Sequence, residues 1–136
     1  MIPLLILLLQ TGVAEKMTYY TTCYAEEMQM LHPANPEGWI LTVVNGEIPD
    51  STGRAWHGEA EADVKYRTAT ITYDTLNLAK HPDWYLRQTA VHELWHIILW
   101  ELAELAEAYH FDWAYQEEEK LNTKIERWPF WLEMCP

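Results

Sequence analysis

A long amphipathic segment begins at His81-Pro82-Asp83 and predicts the main helix of the chain. Pro is tolerated in the first turn of a helix, and an acidic residue is favoured beside the positive end of the helix dipole. Beyond that start, apolar residues recur at spacings of three and four, which is the pattern of one buried helical face. These apolar residues are Val91, Leu94, Trp95, Ile98, Leu102, Leu105 and Tyr109. We therefore expect this helix to lie at the centre of the fold.

Three segments before this helix have the composition and alternation of β-strands. Residues 39–44 are rich in β-branched residues and lie between Gly38 and the turn signal Asn45-Gly46. Two further strands are predicted between Trp56 and Leu76, where apolar residues alternate with polar ones. The alternating residues are Ala60, Ala62, Val64 and Tyr66 in the first strand, and Ala69, Ile71 and Tyr73 in the second. We expect a small, mostly antiparallel three-stranded sheet.

Two further helices are predicted, one near each end of the chain. Thr21 and Thr22 are residue types that favour the N-terminal cap of a helix, so a helix is predicted over residues 23–31. His32-Pro33 ends this predicted helix. A second helix is predicted over residues 113–128, where Pro129 ends it. At 136 residues the chain favours one domain, 1–136, of the α+β class: an N-terminal helix, the sheet, the central helix and a C-terminal helix.

Residues 1–16 have more than one interpretation. The apolar run 2–9 is shorter than the roughly 20 residues that a membrane span needs, so no membrane span is expected. Followed by Gly12-Val13-Ala14, the run resembles a signal peptide, although no Lys or Arg precedes it. The alternatives are a buried first element or a start codon assigned too early, with Met17 or Met28 as later candidates. We expect a cytoplasmic protein, of the host cell if a phage encodes it, with secretion as the alternative.

Charge and cysteine content limit the classes of partner and site. Asp and Glu number 21 against 9 Lys and Arg, and the resulting net charge of -12 repels phosphates, so no nucleic-acid partner is expected. Cys23 and Cys135 are too few for a disulfide framework and lack the CxxC spacing of a redox pair or a zinc knuckle. The oligomeric state is left open.

The central helix contains His92-Glu93-Leu94-Trp95-His96, a match to the H-E-x-x-H zinc motif. Residues four apart lie on one helical face, so His92 and His96 can direct their imidazole nitrogens at a single ion. Glu93 lies about 100° further round the helix, from where it can reach a metal-bound water molecule. The motif therefore predicts a Zn²⁺ site with Glu93 as the general base.

A catalytic zinc site usually has three protein ligands, so another segment must supply the third. On the predicted C-terminal helix, one acidic residue, Glu118, lies on the apolar stripe. That stripe consists of Phe111, Ala114, Leu121, Ile125 and Trp128. A carboxylate among apolar residues is costly unless it is paired or binds a metal, which makes Glu118 the best candidate. Asn122, one turn later, is a candidate to orient a metal-bound His. The competing interpretation of residues 117–119 is a solvated acidic face.

At these residues the sequence resembles the zincin metallopeptidases. It is similar to the small gluzincin-like group, to the ImmA/IrrE-type peptidases, and above all to short metallopeptidases that phages encode. The resemblance covers about residues 36–128, with Trp39-Ile40-Leu41-Thr42-Val43, Ala69-Thr70-Ile71-Thr72, the H-E-x-x-H helix and Glu118-Glu119-Lys120-Leu121-Asn122 in the family's order. In gluzincin-like families the ligand Glu is commonly followed four residues later by Asp or Asn, as Glu118 is by Asn122.

Departures from related families define the alternatives. A metzincin motif would continue with Gly and His where this chain has Leu99 and Leu102, so that branch is excluded. SprT-like peptidases take a third His somewhat over a dozen residues after the motif, and His110 lies 14 residues after His96. That family usually has Gly after this His, whereas Phe111 follows it here. The sequence favours Glu118 over His110 as third ligand.

The resemblance implies a zinc peptidase acting on a peptide or protein substrate, with water activated by zinc and by Glu93. An extended substrate would pair with an exposed sheet edge, for which we expect the strand 68–75. His57, Tyr109, His110 and Tyr115 are candidates to stabilise the oxyanion, and the sequence does not choose among them. The alternatives to the gluzincin-like enzyme are an SprT-like peptidase and a zinc-stabilised binding module without catalysis.

Overall fold

A computed structural model of the chain describes residues 4–48, 57–108, 120 and 131–136. Its elements, in chain order, are α1 (Leu4–Glu27), β1 (Ile40–Gly46), β2 (Gly58–Asp63), β3 (Thr68–Asp74), α2 (Thr75–Leu78), α3 (Asp83–Ala108) and α4 (Trp131–Met134). The expected α+β class and the three strands are confirmed. None of the helices in the described part of the chain is long and apolar enough to cross a membrane.

The sheet has the strand order β1-β3-β2, with β1 parallel and β2 antiparallel to β3. The prediction of a mostly antiparallel sheet is therefore wrong, because one of the two pairings is parallel. Turn residues 64–67, with Arg67 at φ 54°, join β2 and β3 as a hairpin, which fixes these two strands as antiparallel. β1 pairs with the other side of β3 and runs in the same direction. Alternation identifies the two faces of a strand but not its neighbours or its direction.

The strand order also overturns the expected substrate edge. β3 has a partner strand on each side, so its backbone groups are used within the sheet. Thr75, the last residue of the predicted strand, instead begins α2, with the side chain of Asp74 accepting a hydrogen bond from the backbone N–H of Asn77 as a helix cap. Among the described residues, the free edges of the sheet belong to β1 and β2.

Helix α1 is much longer than the predicted helix over residues 23–31. Thr21 does not cap a helix, because its hydroxyl donates to the carbonyl oxygen of Met17 at 2.6 Å, the pattern of a Thr in a helix interior. The buried face continues back through Tyr20 and Met17 to the partly buried Val13, at helical spacings. The helix ends at Glu27, because Gln29 has a left-handed backbone with φ 56°. The predicted end at His32-Pro33 is therefore several residues too late.

The hydrophobic core lies between α1, α3 and the sheet. Its largest fully buried side chains include Met17, Tyr24, Ile71, Tyr73, Leu78, Val91, Leu94 and Ile97. The predicted apolar face of α3 is confirmed for its first half only. Leu102 and Leu105 are 60% and 56% exposed, whereas Leu86, Ala90 and Ile97, which were not predicted, are buried. The buried face of α3 therefore begins and ends earlier than the spacing of its large apolar residues indicates.

A disulfide joins Cys23 of α1 to Cys135, with a Cα–Cα distance of 6.0 Å, although the spacing of the two cysteines did not predict it. Two further contacts hold the same end of the chain. The guanidinium of Arg87 donates a hydrogen bond to the carbonyl oxygen of Cys135. The hydroxyl of Tyr19 donates a hydrogen bond to the carbonyl oxygen of Pro136 at 3.0 Å. The C-terminal residues are thereby bound to both α1 and α3.

Candidate metal centre

The two histidines of the motif are brought together by one turn of α3. Their Nε2 atoms are 3.0 Å apart, and their ring planes meet at 78°. When one tetrahedral zinc binds two imidazole nitrogens at 2.0–2.1 Å, those nitrogens are about 3.3 Å apart. His92 and His96 therefore present a nitrogen pair that fits one zinc ion with a small adjustment. Both side chains are half-buried, which leaves the pair open to solvent on one side.

The described residues contain no group of three His, Cys, Asp or Glu side chains arranged to hold a metal. Glu118, Asn122 and His110, the residues proposed to complete or support the site, all lie outside the described residues. Lys120, which falls between Glu118 and Asn122, is described and is helical. Of the predicted ligands, the structure describes His92 and His96, which it places side by side on α3.

Glu93 lies on the side of α3 that faces the sheet, and it is only 5% exposed. Its carboxylate lies against Gly58, the first residue of β2. A Cβ atom at position 58 would be 2.9 Å from Oε1 and from Cγ of Glu93. Glu93 can occupy this position because residue 58 has no side chain. The sequence motif identified Glu93, but it gave no indication of this contact with a strand 35 positions earlier.

The hydroxyl of Tyr73 lies in the core near Glu93, and its proton is committed to a hydrogen bond. Thr21 has one hydroxyl proton, which it donates to Met17, so the 2.7 Å contact between Tyr73 and Thr21 must have Tyr73 as the donor. Burial raises the pKa of Tyr73 above its ordinary range, and the charge of Glu93 raises it further. Tyr73 is therefore a neutral structural donor rather than an acid in the site.

β2 runs beside α3 with one edge free of any other described strand. Its half-buried positions are Gly58, Ala60 and Ala62, and its exposed positions are Glu59, Glu61 and Asp63. The backbone N–H of Asp74 donates to the carbonyl oxygen of His57, so pairing continues one residue beyond the strand. In an antiparallel ladder the hydrogen-bonded pairs alternate, and Gly58, Ala60 and Ala62 consequently direct their backbone N–H and C=O groups to the free edge.

A second cluster of rings, which sequence reasoning missed, lies at the start of β2 and α3. The rings of His57 and His81 are 4.8 Å apart, and His81 stacks on Tyr85 at 4.1 Å. Nδ1 of His57 is buried and has no hydrogen-bond partner among the described residues. Burial, followed by the charge of His81, lowers the pKa of His57, while Asp74 opposes this shift. These residues are distant in sequence, so no local pattern marks the cluster.

Comparisons with protein-family models, with curated proteins and with solved structures found no match for this chain. Its function is therefore inferred from the paired imidazoles of α3, the buried Glu93 and the strand edge beside them.

Proposed function

We propose that this protein is a zinc-dependent metallopeptidase with a zincin-like fold. The observation that carries the proposal is the convergence of the His92 and His96 Nε2 atoms, 3.0 Å apart, on a helix that places Glu93 between them in sequence. Paired imidazoles with an adjacent acid are the donor set of a hydrolytic zinc site. In this proposal Glu118 is the third ligand and Asn122 orients a metal-bound His. His110 is the alternative third ligand, as in an SprT-like peptidase.

The chemistry divides between the metal and the side chains of α3. Zinc, when bound, lowers the pKa of a water molecule toward 7 and polarises the scissile carbonyl. Glu93 accepts a proton from the attacking water and passes it to the nitrogen of the leaving amine. Both transfers require the carboxylate to be held close to the His pair, and its burial between α3 and β2 restricts where it can lie. The reaction is hydrolysis of a peptide bond.

The substrate in this proposal is an extended peptide that pairs with β2. The free edge of β2 lies beside the helix that carries the motif, and its outward N–H and C=O groups at Gly58, Ala60 and Ala62 are spaced for a further strand. β2 therefore replaces the strand 68–75 as the proposed substrate edge. The absence of a side chain at Gly58 and the small side chains of Ala60 and Ala62 also let the strand backbone lie close to α3.

The experiment that tests the metal site is a measurement of zinc content by elemental mass spectrometry. It compares the parent protein with His96→Ala, Glu118→Gln and His110→Ala, each purified under the same conditions. We expect near-stoichiometric zinc in the parent, loss in His96→Ala, and a weaker site in Glu118→Gln but not in His110→Ala. Loss in His110→Ala alone would move the site to the SprT-like arrangement. No zinc in the parent after reconstitution would refute the proposal.

The experiment that tests catalysis compares the zinc-loaded parent with Glu93→Gln on a peptide library. Removal of a general base typically costs about 10²- to 10⁴-fold in rate, so we expect Glu93→Gln to retain zinc and lose at least about 100-fold in kcat. Zinc binding without hydrolysis, together with unfolding when the metal is removed, would instead support a zinc-stabilised binding module.

The disulfide bears on the proposed compartment. Disulfides persist in oxidising compartments and are rare in the cytosol of mesophiles. The Cys23–Cys135 bond therefore favours secretion over the cytoplasmic localisation that was expected first. We propose secretion as the setting of the peptidase, and a count of free thiols in protein recovered from its natural source tests it.

A further inference from the structure

We infer that Gly58 is a positioning residue for Glu93, because the missing side chain at the start of β2 provides the space in which the Glu93 carboxylate lies. This inference rests on the proposed role of Glu93 as general base. It adds a residue outside the H-E-x-x-H motif, on a different element, that determines where the base is held.

The contact leaves no room for a side chain at position 58 unless Glu93 moves. A Cβ at position 58 would lie 2.9 Å from Cγ, 2.9 Å from Oε1 and 3.1 Å from Cδ of Glu93. Non-bonded carbon atoms are at their optimum at about 3.5–4.0 Å, so each of these distances is repulsive. The three atoms nearest to that position all belong to Glu93. An added methyl group would therefore act first on the general base.

Backbone conformation does not explain a glycine at this position. The φ angle of Gly58 lies outside the left-handed region that favours glycine, and the residue is paired with Tyr73 in a regular antiparallel ladder. Glycine within a strand is normally unfavourable, because it loses more conformational freedom on folding than other residues do. The space required by Glu93 is the reason that the structure offers for Gly58.

Glu93, rather than the strand or the helix, should move when position 58 is enlarged. β2 is held along its length by β3, and α3 is fixed by the fully buried Val91 and Leu94 on either side of Glu93. The carboxylate is the end of a side chain with three rotatable bonds, so it can leave its position at lower cost. His92 and His96 are not among the atoms nearest to position 58, and the metal ligands should remain in place.

Gly58→Ala therefore separates positioning of the base from metal binding. We expect this variant to retain zinc, to keep a KM within about twofold of the parent, and to lose about 10- to 100-fold in kcat, part of the full effect of a general base. Gly46→Ala is the matched control, since no atom lies within 4 Å of a Cβ at position 46.

A double-mutant cycle tests the same contact through stability, so that no measurement of enzyme activity is needed. The unfolding midpoints in urea are compared for the parent, Gly58→Ala, Glu93→Ala and the double variant. We expect Gly58→Ala to lower the midpoint when Glu93 is present and to raise it when residue 93 is Ala, because the clash is then gone.

The outcomes separate this inference from the proposed function. A parent without zinc or activity refutes the proposed function, while the cycle still decides whether Gly58 determines the position of Glu93. Additive effects in the cycle would overturn the inference, as would a Gly58→Ala enzyme with the parent's kcat, or one whose activity falls only through loss of zinc or a raised KM.

Discussion

At the scale of single residues, the candidate site combines a histidine pair on one turn of α3 with a glutamate that lies against β2. The spacing of His92 and His96 follows from helix geometry, so the sequence alone predicted that their nitrogens would meet. The contact between Glu93 and Gly58 joins a helix to a strand, and no spacing rule connects those two positions. The His57 cluster was missed for the same reason. Local patterns predict what one helix arranges, whereas the surroundings of each side chain depend on the tertiary fold.

His57 makes the stability of the protein dependent on pH. Its pKa in the folded protein lies below the ordinary value of 6.5, chiefly because of burial and then because of His81. The unfolded chain therefore binds the proton more tightly, and stability is complete above pH 6.5 and falls as the pH drops below it. We expect His57→Gln to show a smaller loss of stability between pH 7.5 and pH 5 than the parent.

Urea unfolding of both proteins at several pH values measures this difference. Equal pH dependence in the parent and in His57→Gln would show that the His57 environment does not favour the neutral ring.

At the scale of elements, β2 is the part of the structure that most changes the functional interpretation. The alternation of residues 60–73 predicted two strands, and both are present, although Val64 and Tyr66 of the first predicted strand lie in the turn after β2. It did not predict that β3 would be central, because strand order is decided by where β1 pairs, which depends on contacts distant in sequence.

The helix starting at Asp83 was predicted correctly from Pro82 and the acid after it. By contrast, α1 was predicted too short, because Thr21-Thr22 has the composition of a cap but lies inside the helix.

If a substrate pairs with β2, proline at one outward position should weaken binding without breaking the sheet. The N–H of Ala60 points to the free edge, so Ala60→Pro removes a donor to the substrate but none to β3. We expect KM to rise roughly 2- to 10-fold, which corresponds to one net hydrogen bond, with a much smaller change in kcat.

Steady-state kinetics on a peptide substrate measure this effect, and Glu61→Pro is the matched control. Residue 61 directs its N–H toward β3, so proline there should destabilise the fold. An unchanged KM in a folded Ala60→Pro enzyme would place the substrate elsewhere.

At the scale of the whole molecule, covalent and polar contacts tie the two ends of the described chain together. Asp83 at the start of α3 accepts hydrogen bonds from Tyr20 of α1 and, at 2.8 Å, from Arg87, which in turn contacts Cys135. Burial alone would raise the pKa of Asp83, but these hydrogen bonds and the charge of Arg87 outweigh it and lower the pKa. The disulfide lies beside this polar cluster and links residues 112 positions apart.

Loss of the disulfide should therefore destabilise the whole fold. A crosslink that closes a long loop restricts the unfolded chain, and its removal typically costs about 2–4 kcal/mol. We expect Cys23→Ser/Cys135→Ser to lower the free energy of unfolding by that amount in urea titrations. A reducing agent should produce the same loss in the parent and have no effect on the double variant. Equal stability of the oxidised and reduced parent would contradict the prediction.

The Cys23–Cys135 bond also determines what happens when the chain is cut. Any single cleavage between the two cysteines gives fragments that stay covalently attached. Self-digestion by a peptidase, or nicking by a contaminant, would thus leave a species that migrates as one band until it is reduced. Preparations that look intact on a non-reducing gel can consist of nicked molecules, and the integrity of the backbone has to be judged after reduction.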